Sequence, residues 1–151
     1  MTLCIGSKEI EGVLKTETWK RYKYFMGKVA DQEEVWGLYD DRWALARDNK
    51  GHDIFPLWPA AEYASLCALE LWRNYKPKQI PLDDLLEKLL PKLKNDGILI
   101  GVFFTPNNKG VVVDRELLIN TLITMTPITI TIIIHGFFLL ILLFHVPAYK
   151  F

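Results

Sequence analysis

The chain has 151 residues, half of them hydrophobic, with 18 Lys and Arg balanced by 18 Asp and Glu. That length holds one domain with a real core plus an appendage, and the lack of a basic excess excludes a dedicated nucleic-acid binder, whose affinity rests on a positive surface. Cys4 and Cys67 have no motif spacing, so free thiols in a reduced, cytoplasmic interior are expected, and the N-terminus MTLCIGSKEIEG offers no basic start and apolar stretch of a secretory signal.

Ser7 is the expected cap of a first helix, with Ile10, Val13 and Leu14 facing inward. Thr18 is the expected cap of a second. Its inward stripe is Tyr22, Phe25, Met26 and Val29, and Lys20, Arg21, Lys23 and Lys28 fall mostly off that stripe. From Val35 the apolar period shortens to two. EVWGLYD, WALAR and HDIFPLW read as three strands of an antiparallel meander, turning at Asp40-Asp41-Arg42 and at DNKG. Pro56 cannot donate to a ladder, which puts the third strand at an edge or ends it there. The small residues Gly37, Ala44 and Ala46 leave room for a helix on the sheet.

Pro59 suits the first turn of a helix whose inward face is Tyr63, Ala64, Cys67 and Leu71. NYKPKQIP reads as a loop. Pro81 opens the next helix, with Asp83 and Asp84 at its positive end and a leucine stripe at 82, 85, 86, 89, 90 and 93. Pro91 should kink or split it, and Gly97 should stop it. ILIGVFF and GVVV form a hairpin, and Asp114 caps a last helix running to about Met125. The expected product is an α+β domain over 1–126: an antiparallel sheet of about five strands with packed helices, plus a C-terminal apolar helix in the tail.

Chemistry is sparse. The sequence holds no GxSxG, GxGxxG, P-loop or CxxC. Before the tail there is one histidine, His52, flanked by Asp48 and Asp53 in no known ligand pattern, so no metal and no cofactor is expected. Asp40 and Asp41 could serve as an acid/base pair, but neighbours on a strand point to opposite faces and a hairpin turn explains both. Trp36 and Trp43 read as core. Trp58, between Pro56 and Pro59 at a strand end, reads equally as core or as the wall of a groove. KRYKYFMGK interleaves basic and aromatic residues, as in single-strand nucleic-acid binding, yet the helical period turns the aromatics in and the lysines out.

Several pieces in register, EVWGLYDD (34–41), WAL (43–45), FPLWP (55–59), EYA (62–64), YKP (75–77), PLDDLLEKLLPKLKNDGI (81–98) and TP…KGVVV (105–113), resemble the bacterial domain-of-unknown-function 2750 family over roughly residues 7–120. The resemblance implies a small, compact domain and carries over no activity and no catalytic residue. Members commonly have Gly where Arg42 stands, so Arg42 sits less comfortably in a positive-φ turn.

The run Ile128 to Val146 lies outside that resemblance and carries no Asp, Glu, Lys or Arg. Nineteen residues as a helix reach about 28 Å, near the ~30 Å hydrocarbon thickness, which makes 128–146 a candidate transmembrane helix anchoring a cytoplasmic domain. ITITIII is also strand-like, so a buried or oligomer-forming segment is another reading, and an aberrant ending a further one.

Besides a tail-anchored membrane-surface protein, two functional expectations follow. One is a non-enzymatic protein-interaction module, in one version immunity- or antitoxin-like, binding a protein partner through Tyr39, Trp58 and Tyr75. The other is a small-molecule enzyme or ligand-binding domain with its site at Asp40, Asp41, His52 and Asp53.

Overall fold

A computed structural model of the chain describes residues 4–107 and 110–126. The candidate membrane helix 128–146 lies outside the described residues, and among those no helix is long and apolar enough to cross a membrane. The elements run α1 (Ser7–Leu14), α2 (Thr18–Gln32), β1 (Glu34–Asp40), β2 (Arg42–Trp43), β3 (Ala46–Arg47), β4 (Asp53–Leu57), α3 (Ala61–Leu66), a 3-10 turn (Glu70–Trp72), β5 (Lys76–Pro81), α4 (Leu82–Asp84), a π-helical segment (Leu85–Leu89), α5 (Leu90–Asn95), β6 (Leu99–Val102), β7 (Val111–Val113) and α6 (Arg115–Met125). The mixed α+β class is as expected. The sheet is not one antiparallel array.

The described residues form two sheets, ordered β2-β1-β5 and β3-β4-β6-β7. The segment read as one middle strand is divided between them. Arg42 and Trp43 pair with β1, whereas Ala46 and Arg47 pair with β4. Trp36 and Trp58 exchange both backbone hydrogen bonds at 2.8 Å, and this single bridge ties the two sheets together. β4 and β6 are parallel, in the register Ile54↔Leu99 to Leu57↔Val102. A parallel pair needs a long crossover, which here carries α3, β5 and the helical stretch between Leu82 and Asn95.

Pro56 is not on an edge strand, because β4 lies between β3 and β6. The Phe103 N–H donates to the Leu57 carbonyl, so Leu57 faces β6 and alternation turns Pro56 the other way. On that side β3 pairs only as far as Ile54, so the missing N–H has no ladder to serve. The same logic explains β5, read from sequence as a loop because of Pro77 and Pro81. The Leu82 N–H donates to Glu33, which makes Ile80, Lys78 and Lys76 the bonded positions along β1. Pro77 and Pro81 fall between them with their nitrogens on the open edge, the place a strand tolerates proline.

Helix ends follow local chemistry, with two corrections. Gly6 and Glu17, not Ser7 and Thr18, are the N-cap residues of α1 and α2, and neither offers a side-chain cap. Asp114 does cap α6, accepting from the Leu117 N–H at 2.9 Å. Gly97 stops α5 at φ +69. Pro91 lies in the first turn of α5, directly after the π-helical turns of 85–89. Wider π-turns absorb the clash a proline ring makes with the preceding turn. Arg21 departs from expectation: it is buried, donating to the Thr16 carbonyl and to Thr18 Oγ1, so it closes the α1–α2 junction.

The core joins Phe25 and Val29 of α2, Val35 of β1, Leu57 and Trp58, Leu85, Leu90, and Leu118 and Leu122 of α6. Gly37 receives the Trp43 ring rather than a helix: an added Cβ would stand 2.9 Å from Trp43 Cζ3.

Candidate functional site

The seven residues singled out from sequence are not brought together in one pocket. Asp40 and Asp41 are exposed at the β1–β2 turn, and Asp41 takes φ +56, so the left-handed position belongs to an Asp rather than to Arg42. Asp tolerates that conformation through its short polar side chain. His52 and Asp53 stand at the β3–β4 turn. Asp48 Oδ1 accepts from the Lys50 and His52 N–H groups at 2.8 and 2.9 Å, and Asp48 Oδ2 meets His52 Nδ1 at 2.8 Å. The hydrogen bond from His52 holds the Asp48 carboxyl down at about 2. Asp53 is matched by Arg47 at 2.8 Å. Both carboxylates around His52 are thus occupied in closing a turn, and no group of three His, Cys, Asp or Glu among the described residues is placed to hold a metal.

Tyr39 is half-buried, edge-on to Trp43 at 5.1 Å, with Lys78 Nζ 3.8 Å above its ring. Tyr75 is also half-buried, one residue before β5, whose Lys76 pairs with Tyr39. Trp58 is 0% exposed, so it is core and not a groove wall; Trp36 and Trp43 are the half-buried ones. The sequence reads Trp36 and Trp43 as core and leaves Trp58 between core and groove wall. The sheet-to-sheet bridge at Trp58 decides it.

What Trp58 does is hold up a cleft. Its Nε1 donates to the Phe104 carbonyl at 2.9 Å, and Cys67 Sγ donates to the same oxygen at 3.3 Å. Phe103 is turned to φ +55, an outlying value for a bulky residue, which swings the chain out of β6 and presents that carbonyl. Trp58 also meets Trp72 edge-on at 6.4 Å. These contacts form the floor of an open cleft of about 640 Å³, walled by Leu45 beside β3, by Leu69 and Leu71, and by Phe104 and Pro106.

The wall at 69–72 overturns a second expectation. Leu71 was read onto the inward face of a helix with Tyr63 and Cys67. Instead α3 stops at Leu66, and Leu71 is 92% exposed, with Leu69 at 55%. Glu70, between them, holds φ +49, a left-handed value unusual outside glycine. Cys67 is fixed to Phe104 and Trp72 to Trp58, so the chain between these anchors cannot keep its helical phase and turns its two leucines outward. The only hint in the sequence is ALELW itself, where three large apolar residues crowd around one Glu.

The family pattern described as "protein of unknown function (DUF2750)" matches residues 22–122. The chain belongs to this family. The match spans both sheets, the bridge at Trp58 and the whole cleft, and stops short of the apolar run. No curated protein and no solved structure matches the chain.

Burial pushes the Cys67 thiol up to about 11. The thiolate is the reactive form, so at pH 8 a native sample should titrate one thiol rapidly, exposed Cys4, and release Cys67 only on unfolding. Two equally fast thiols in an aromatic-disulfide assay would show that the cleft floor is open.

Proposed function

We propose that this DUF2750 member is a non-enzymatic protein-interaction module that grips its partner at the Leu45–Leu69–Leu71 cleft. The observation that carries this reading is the outward pair Leu69 and Leu71 on a turn held at positive φ, beside an apolar hollow floored by Trp72 and Phe104. Exposed apolar groups clustered at a cavity mark interaction surfaces. Backbone strain beside them is a cost that a docking role would offset. The matching partner presents an apolar anchor side chain to fill the hollow. An immunity- or antitoxin-like role is one version of this reading and rests on analogy alone.

The enzyme alternative draws less support. Asp40 and Asp41 make no hydrogen bond or ion pair with His52 or Asp53, and Asp48 and Arg47 already engage the latter two. The test is capture of a stoichiometric partner from the native host by wild-type chain and by Leu71→Asp. A hot-spot leucine contributes about 2 kcal/mol, so the variant should bind about 30-fold more weakly. Because Leu71 is exposed, the variant should melt with the wild type. Equal capture by both, or recovery of the chain alone, contradicts the proposal.

A further inference from the structure

A second apolar groove lies on another part of the domain, between the start of α2, β7 and the start of α6. It encloses about 520 Å³, and Trp19, Val112 and Leu117 line it while remaining 55%, 50% and 58% exposed. Among the described residues β7 ends its sheet, so one side of the strand carries backbone groups that no described strand pairs. Lys20 and Lys23 stand over the Trp19 ring at 5.4 and 5.7 Å.

We propose that this groove is the docking site of the chain's own apolar run, 128–146, with the segment ITITIII set against the free edge of β7. Three observations favour this occupant. First, Thr126 leaves α6 in an extended conformation, φ −78 and ψ 136, and Pro127 follows. A residue before proline is driven to that region, so α6 does not run on as a helix. Second, the reach is short. Leu117 to Thr126 is about 14 Å at ~1.5 Å per helical residue, which an extended chain recovers in roughly four or five residues at ~3.3 Å each. Counted on from Thr126, Ile130 and Ile132 can therefore come level with Leu117. Third, the chemistry matches. The segment is β-branched and uncharged, the composition that suits a free strand edge beside an apolar surface. A tether of a few residues also raises its local concentration to about the millimolar range.

The test is amide hydrogen exchange on the full chain in detergent-free buffer, comparing wild type with Leu117→Asp and with Ile132→Asp combined with Ile134→Asp. Both variants should speed exchange at Val111–Val113 by about tenfold, while the β6 amides of Leu99–Val102 stay as in wild type and report an intact fold. Unchanged exchange at β7 in the variants overturns the proposal. Protection that rises with protein concentration overturns it too, since a second copy would then be the occupant. So does flotation of the wild-type chain with phosphatidylcholine vesicles.

Discussion

Trp58→Ala should lower the free energy of unfolding by about 3–5 kcal/mol, the range for emptying a buried aromatic site. It would be read as a drop in urea midpoint with little change in slope. Three effects add here. The indole is 0% exposed and packs against Trp72 and Phe104 at 6.4 Å each. Its Nε1 satisfies a buried carbonyl, which the variant leaves with Cys67 alone, a weak sulfur donor. Its backbone forms the bridge between the sheets, so a cavity opened beside it loosens both. Trp58→Phe separates these effects, restoring most of the packing without the hydrogen bond and recovering more than half of the loss. Against a typical stability of about 5–15 kcal/mol, the alanine variant should sit near the edge of folding. A loss below about 1 kcal/mol would mean that Trp58 is not the keystone described here.

Gly110→Ala should be the most damaging single-methyl change, at about 2–4 kcal/mol. Gly110 takes φ +69, where an L side chain is strained. An added Cβ would stand 2.3 Å from the Val102 carbonyl oxygen and 2.9 Å from the Phe103 carbonyl carbon, both backbone atoms of the strand end that shapes the cleft. A flexible side chain could swing away, but backbone cannot without breaking the β6–β7 pairing. Gly12→Ala is the control: nothing lies within 4 Å of its added Cβ, and it is helical, so it should be neutral or slightly stabilising. Equal stability of Gly110→Ala and wild type in chemical denaturation would contradict the close approach.

Local signals carried much of the fold. Period-3.6 stripes placed α2 and the leucine helix, Asp114 marked the start of α6, alternation placed β1, and apolar runs between turn signals placed β4, β6 and β7. Where sequence reasoning failed, tertiary pairing had overridden a local rule. Pro77 and Pro81 argue against a strand until one knows that both nitrogens face the free edge of β5. WALAR alternates like one strand, and only its pairing with two different partners, β1 and β4, divides it. Arg21 looks like a solvated lysine-rich face until the α1 carboxyl end is packed beside it.

The cleft was less legible than the fold, for a related reason. Titratable residues drew attention to 40–53, where Asp and His close turns. Leu69 and Leu71 carry no chemical label, and their exposure follows from Cys67 and Trp72 being fastened to Phe104 and Trp58. No periodicity within 61–72 contains that information. It lies in contacts with residues more than thirty positions away, such as the Cys67 to Phe104 hydrogen bond.

The most direct measurement is amide hydrogen exchange of the full chain with and without its captured partner. The interaction account predicts new protection at Leu69–Trp72 and at Thr105–Asn107 flanking the cleft, with the turns at Asp40–Arg42 and Asp48–Asp53 exchanging as before. Protection confined to those two polar turns, with Leu69–Trp72 unchanged, would contradict it.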